Sequence, residues 1–196
     1  MGNATQLVTT NAQSLNDVVI NSTGTVRFTD AFSAAGEISL VSGTLDTNDQ
    51  PVTALRLDAN AASNEPRILD MGNSTISLTG ISGLPVLDLR GNTAEALLSF
   101  SSGAKFDFVT DDNVIIETGQ EVKTLPDLDF LAHSNEDIFI NTHNGSNEIT
   151  FSNITIPGDA NRLTIIGTAP KTFGDLNVGT IGSGGTGHVE LEGSTL

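Results

Sequence analysis

Cysteine is absent from this chain of 196 residues, and so are tryptophan and tyrosine. Without cysteine the chain forms no disulfide bond, although small secreted animal domains usually depend on disulfides for their stability. If the protein is extracellular, we therefore expect it to be bacterial. Sugar-binding platforms generally use tryptophan or tyrosine, so their absence argues against a high-affinity carbohydrate module built on aromatic stacking.

Positive charge is also scarce. Lysine and arginine together number 8, against 24 aspartates and glutamates, which gives a formal net charge of −16. This charge would repel a phosphate backbone, so we expect no nucleic-acid partner, and anionic membrane surfaces are excluded for the same reason. The sequence contains no stretch of about 18 apolar residues, so we expect no insertion into a membrane.

Short apolar runs with a period of two recur from one end of the chain to the other. Examples are Val26-x-Phe28, Ile76-x-Leu78 and Leu128-x-Phe130. This alternation places side chains on one face of a strand, and turn signals such as Gly91-Asn92 separate the runs. With no helical pattern longer than about two turns, the sequence predicts an all-β fold of roughly 14 strands.

Two architectures fit this spacing. One is an antiparallel β-sandwich or a pair of them, and the other is a parallel β-solenoid, a right-handed β-helix. The strands are short, no Asn-Gly or Asp-Gly clearly joins two of them as a two-residue hairpin, and small polar residues cluster at the expected corners. We therefore predict the solenoid, with roughly 20–24 residues in each of about eight or nine coils, and a rod of about 40 Å.

The chain repeats a phrase of its own sequence. Leu15–Ile20 matches Phe173–Val178 at an offset of about 158 residues, and Gly24–Phe28 matches Gly187–Leu191. Such internal periodicity is typical of tandem arrays. We therefore interpret residues 1–196 as a single solenoid segment excised from a longer tandem-repeat protein, with a new repeat beginning near 171–196. Neighbouring repeats of the same chain are then its expected partners.

Three phrases carry a family resemblance: Gly36–Asn48, Arg67–Gly80 and Lys171–Val178. They are similar to the repeat phrases G-x-[LI]-x-L-x-S-G-T-L-D-T-N, L-x-L-G-x-S-T-[IV]-x-[LF]-x-G and K-T-F-x-[ND]-L-x-[IV] of giant exported surface proteins of Bacteroidetes. The chain resembles adhesins and filamentous-haemagglutinin-like β-helices more loosely. The resemblance implies an extracellular stalk or adhesin module at the bacterial cell surface, and it supplies no catalytic residues.

Acidic loops are the first candidates for a site. Asp107, Asp111 and Asp112 lie close together in the sequence, and hard cations prefer several oxygen ligands from such loops. They form a weak candidate calcium site, against the plainer interpretation of a solvated acidic surface. We expect no other cofactor.

Other side chains offer little sign of catalysis. Asp127 and Asp129 share one face of a predicted strand, as a pair of carboxylates for glycoside hydrolysis would, but the basic residues stand apart from the aspartates in the sequence. We therefore predict that the protein is not an enzyme. Two further sets have structural interpretations. The histidines His133, His143 and His188 are expected at the surface, and Phe100, Phe106, Phe108, Phe130 and Phe139 are expected to stack in the core.

These patterns predict a structural or adhesive segment of an extracellular bacterial surface protein, which extends a stalk and displays surface loops. The alternative is a module that binds a cell-surface polysaccharide or protein, with or without help from calcium. A binding module would have one groove with converging polar groups near residues 95–147, where the sequence departs from the family phrases.

Overall fold

The computed structural model describes residues 4–60, 66–80, 83–91, 97–110, 112–131, 136–143, 147–156, 162–178 and 188–191. These residues form β-strands joined by turns and contain no helix. The strands are β1 (Thr5–Val8), β2 (Ser14–Leu15), β3 (Val18–Phe28), β4 (Phe32–Ala34), β5 (Glu37–Asp46), β6 (Val52–Ala54), β7 (Arg56–Asp58), β8 (Arg67–Gly72), β9 (Thr75–Leu78), β10 (Leu87–Leu89), β11 (Leu98–Phe100), β12 (Lys105–Phe108), β13 (Val114–Thr118), β14 (Thr124–Leu125), β15 (Asp127–Phe130), β16 (Asp137–Asn141), β17 (Ile149–Ile156), β18 (Arg162–Ile166), β19 (Lys171–Val178) and β20 (His188–Leu191).

Every strand pair among the described residues is parallel. A sandwich of antiparallel sheets is therefore wrong for this part of the chain, and the predicted parallel β-solenoid is confirmed. The right-handed sense of the coil stays a prediction. In the part of the chain that the structure describes, no helix is long and apolar enough to cross a membrane.

The pairings sort into three ladders of stacked strands, because the long strands β3, β5, β17 and β19 each contribute two separately paired segments. Ladder A consists of 18–20, 37–40, β7, β10, β13, β16, β18 and β20. Ladder B consists of β1, 25–28, 44–46, β8 and β11, followed by β14, 149–151 and 171–173. Ladder C consists of β2, β4, β6, β9, β12, β15, 154–156 and 176–178. The chain passes from A to B to C and back to A, so each coil has three corners, AB, BC and CA.

The coils are fewer and less regular than predicted. About six turns have hydrogen-bonded neighbours on both sides, slightly fewer than the predicted eight or nine, because the coils at either end are paired on one side or are incomplete. Coil length also varies: Ile38 pairs with Leu57, 19 residues further along, whereas Leu57 pairs with Leu87, 30 residues further along. The longer coils place extra residues at the corners and leave the strands in register.

The core lies inside the three ladders and is formed by alternate residues of every strand. Phenylalanine rings stack within it or against it, with ring centroids 3.9 Å apart for Phe28–Phe32, 4.7 Å for Phe108–Phe130 and 5.1 Å for Phe151–Phe173. Of the five rings predicted in the core, Phe106, Phe108 and Phe130 are fully buried and Phe100 packs against their cluster.

Phe139 is the exception among the five. It lies between the buried residues Ile138 and Ile140, so the alternation of β16 turns its side chain outward. There the ring is half-buried beneath Arg162, whose guanidinium carbon lies 5.1 Å from the ring centroid. The prediction of a core position is therefore wrong for Phe139.

Side chains at the corners bind the backbone of the neighbouring coil. The carboxylate of Asp17 accepts a hydrogen bond from the backbone N–H of Glu37 at 2.9 Å, and the side-chain oxygen of Asn113 accepts one from Asp137 at 2.8 Å. Such bonds satisfy backbone groups that the ladders leave free at the turns. They also explain why small polar residues recur at these positions in the sequence.

The two similar phrases of the sequence occupy different ladders. Val18–Ile20 lies in ladder A, whereas its match Leu176–Val178 lies in ladder C. Likewise, 25–28 lies in ladder B and its match β20 lies in ladder A. The two copies therefore share a strand-and-turn pattern, but each strand of the second copy lies one ladder earlier in the order A, B, C than its match in the first. The longer tandem array stays a prediction.

Candidate functional site

A polar groove runs along corner AB through four successive coils. Its volume is about 450 Å³, and we call it the corner groove. It is lined by Asn60, Arg90, Gly91, Gly119, Gln120, Glu121 and His143. Nearer the N-terminus, the same corner has a second recess of about 310 Å³, lined mainly by serine, threonine and glycine, including Ser22, Thr25 and Ser42.

Strand register brings the groove residues together from distant parts of the sequence. Asp88 of β10 pairs with Asp58 of β7 and with Glu117 of β13, and Glu117 pairs with Asn141 of β16. The residues that follow these four strands must therefore line up along the axis, about 4.8 Å apart from one coil to the next. Asn60, Arg90, Gly119 and His143 are the residues in these positions.

Two of the lining residues are glycines because the chain approaches its neighbours closely here. A Cβ atom at Gly119 would lie 2.9 Å from the backbone nitrogen of Gly91, and one at Gly91 would overlap the guanidinium of Arg67. Neither position has room for a side chain. The lining therefore presents backbone and no side chain at Gly91 and Gly119.

Buried charge lies next to the groove. Arg67 is 1% exposed, and burial lowers its pKa, while the nearby carboxylates of Asp58 and Asp88 oppose that shift. Asp88 is itself buried and accepts hydrogen bonds from Nε of Arg90 at 3.0 Å and from its Nη2 at 2.6 Å. Aspartate and arginine thus neutralise each other beside the groove.

Asp58, Asp88 and Glu117 form a row of carboxylates along ladder A. Burial raises the pKa of Asp58, and the like charges of Asp88 and Glu37 add to that rise. The backbone N–H of Asn60 and the guanidinium of Arg56, which lies 3.1 Å from the Asp58 carboxylate, act in the opposite direction. Hydrogen-bond donors and a cation within the coils therefore hold this row of carboxylates in place despite their like charges.

His143 is the most unusual member of the groove. It is only 8% exposed, and neither Nδ1 nor Nε2 has a hydrogen-bond partner among the described residues. A buried polar group without a partner costs about 1–3 kcal/mol. The prediction of a surface histidine is wrong here, because no local pattern in the sequence reports which corner residues the fold buries.

The other two histidines add no information about a site. His133 lies outside the described residues, and His188 lies in β20 with its side chain outside them.

The calcium candidate is only partly described. Asp111 lies outside the described residues. Asp107 is ion-paired with Lys105 at 3.0 Å, and Asp112 lies at corner CA, where its N–H donates to the hydroxyl of Thr110 at 3.1 Å. Among the described residues, no group of three or more histidines and acidic residues could hold a metal ion. The calcium site stays a prediction.

Asp127 and Asp129 lie on one outward face of β15, as predicted. Asp129 is ion-paired with Lys105 at 3.3 Å, and Asp127 accepts a hydrogen bond from Nδ2 of Asn153 at 2.7 Å. Both carboxylates therefore bind neighbouring coils. The isolation of the basic residues does not hold for Lys105, because Asp107 lies two residues further along the same strand and the pairing of β12 with β15 brings Asp129 within reach as well.

Only some of the residues that line the corner groove belong to the stretch of sequence in which the sequence analysis predicts a binding groove. Residues 119–121 and His143 fall within the predicted stretch of 95–147, whereas Asn60, Arg90 and Gly91 precede it. Comparison of the chain with protein-family models, curated proteins and solved structures found no match.

Proposed function

We propose that this chain is a structural and adhesive segment of an extracellular bacterial surface protein, where it extends a stalk and displays corner loops. The observation that carries the proposal is the stack of parallel coils. In such a stack each coil binds only its neighbours, so length grows by adding coils and the backbone is satisfied along the whole axis.

Ion pairs between neighbouring coils support a load-bearing role. Arg27 pairs with Asp46 at 2.6 Å, Arg56 with Glu37 at 3.1 Å and Arg162 with Asp137 at 2.8 Å, and each pair joins adjacent coils. Partly exposed pairs contribute only about 0–1 kcal/mol each. Their main effect is on register, because a slipped coil would lose them and bring like charges together.

Open strand edges support the proposal of further repeats as partners. Among the described residues, β1 pairs only with β3 and β2 only with β4, and Leu7 and Leu15 are 66% and 41% exposed in them. An uncovered edge is a site for pairing with another strand. A neighbouring repeat of the same protein would continue the ladders there.

We also propose that this role is mechanical and not catalytic. The carboxylates considered for catalysis, Asp127 and Asp129, bind Asn153 and Lys105 of adjacent coils. The proposed partners are neighbouring repeats and cell-surface glycans or proteins, and neither nucleic acid nor membrane insertion forms part of the proposal.

Cell labelling and single-molecule pulling test the proposal together. Antibodies against the chain should label intact cells of the bacterium that encodes it, whereas antibodies against a cytoplasmic protein should label only permeabilised cells. Pulled between two marker domains, the chain should resist with force and then lengthen in steps of one or several coils. Labelling only after permeabilisation, or extension at negligible force, would contradict the proposal.

A further inference from the structure

The geometry points to the corner groove as a binding site for a neutral, polyhydroxylated chain, such as a neutral glycan, lying along the solenoid axis. This inference rests on the adhesive role proposed above and adds to it a site and a chemical class of ligand, which the stalk role alone does not need. It depends on the chemistry of the lining, on the burial of His143 and on the length of the groove.

The lining offers hydrogen-bond donors and acceptors side by side. Arg90 supplies donors, Glu121 supplies acceptors, and the amides of Asn60 and Gln120 supply both. A hydroxyl group both donates and accepts, so neighbouring hydroxyls on a sugar ring match such a mixed lining. An apolar ligand would leave these groups unpaired, and a polyanion would be repelled by the net charge of −16.

His143 supplies the second, independent observation. His143 lines the groove, the residue is more than nine-tenths buried, and neither ring nitrogen has a hydrogen-bond partner among the described residues. An imidazole nitrogen that carries a hydrogen donates and a bare imidazole nitrogen accepts, and a hydroxyl group can pair with either. Both nitrogens are closed to solvent, so the ring must turn toward the groove before a ligand hydroxyl can pair with it, and that pairing recovers the stability lost by burying the ring.

The length of the groove indicates an extended ligand. Asn60, Arg90, Gly119 and His143 follow strands of four successive coils, so the rows that they mark span about 14 Å along the axis. Two of the lining residues, Gly91 and Gly119, have no side chain that could block the rows. A ligand of several sugar units, laid parallel to the axis, would contact every row.

Titration with defined hexasaccharides tests the inference. The probes are cellohexaose, maltohexaose and β-1,4-mannohexaose as neutral chains and hexagalacturonate as an acidic one. We expect at least one neutral probe, at millimolar concentration, to shift the imidazole resonances of His143 and the amide resonances of 119–121 in a saturable manner in NMR spectra. No saturable shift with any neutral probe, or binding of the acidic probe alone, would overturn the inference.

Matched variants distinguish a binding site from a structural one. Asn60→Ala and Gln120→Ala should each weaken binding about fivefold to tenfold, which corresponds to about one hydrogen bond. Gln50→Ala, at corner BC, should bind like the unmodified chain. Equal affinity in all three variants would overturn the inference.

His143→Leu gives a readout that a purely structural role would not produce. Leucine fills the site without burying unpaired nitrogens, so the variant should melt at an equal or higher temperature while losing affinity for the probe. A lower melting temperature with unchanged affinity would assign His143 to packing and overturn its part in binding.

Discussion

At the scale of single residues, the aromatic rings distinguish the inside of the coil from the outside. Phe130 is fully buried and stacks on Phe108, whereas Phe139 lies on the outer face beneath Arg162. The two side chains have the same chemistry and occur in adjacent coils of the solenoid. They therefore form a matched pair for measuring what burial contributes.

Phe130→Ala should lower the free energy of unfolding by about 3–5 kcal/mol, because it removes a buried ring and leaves a cavity. Phe139→Ala should cost about 1 kcal/mol or less, since it loses a half-exposed ring and one cation–π contact. Urea unfolding of both variants measures the difference. Similar losses in the two variants would mean that the alternation has been assigned to the wrong faces.

Asp30 shows how a corner side chain responds to pH. Backbone N–H groups of Thr10 and Asn11 donate to its carboxylate at 2.9 and 2.7 Å, and these bonds hold the pKa of Asp30 below its ordinary value of 3.8. The stabilisation is therefore fully present above that ordinary value. It is lost as the pH falls through the lower pKa of the folded state.

Asp30→Asn should consequently lower the melting temperature at pH 7, and the gap to the unmodified chain should close as the solution becomes strongly acidic. Glu148→Gln removes the same charge from an exposed side chain elsewhere and serves as the control for the loss of charge alone. Melting curves recorded across the acidic range measure the gap. A gap that stays constant at every pH would show that the carboxylate charge of Asp30 contributes nothing.

At the scale of elements, tight corners depend on glycines that approach the adjacent coil. Gly43 lies within β5 with φ of 84°, and a Cβ atom there would overlap the carbonyl oxygens of Ser22 and Gly24. Gly83 has nearly the same φ, 80°, but a Cβ atom there would meet no atom of the described residues within 4 Å. A comparison of substitutions at Gly43 and Gly83 therefore separates the cost of backbone strain from the cost of a clash between coils.

Gly83→Ala should cost about 1–2 kcal/mol, the strain of a left-handed backbone with a side chain. Gly43→Ala carries the same strain and adds about 1–3 kcal/mol, because its methyl group pushes two coils apart. Thermal unfolding of both variants compares them. Equal losses would contradict the close approach of the coils at Gly43.

How far the sequence predicts these elements depends on whether their signals are local. Alternation identifies strands such as Ile76–Leu78 and inward residues such as Phe106, because period two is a property of one strand. The partner of a strand is not a local property. Coils of 19 and 30 residues both close in register, so neither the coil count nor the burial of His143 can be deduced from spacing.

At the scale of the whole molecule, ladder C provides a ruler along the axis. One outward-facing residue of each strand is paired with the corresponding residue of the next coil. In order along the axis these residues are Ser33, Thr53, Ser77, Asp107, Asp129, Thr155 and Asn177. Each step should measure about 4.8 Å if the coils stack along a single axis. The absence of cysteine makes paired spin labels simple to introduce.

The most direct test of this stacking measures distances between spin labels on three double-cysteine variants, in which Asn177→Cys is combined with Ser77→Cys, Thr53→Cys or Ser33→Cys. The backbone separations should be about 19, 24 and 29 Å, so the measured distance should grow by about 5 Å from each variant to the next. Distances that do not increase in this order would contradict the stacked solenoid. So would increases from one variant to the next that differ from each other by more than the spacing of one coil.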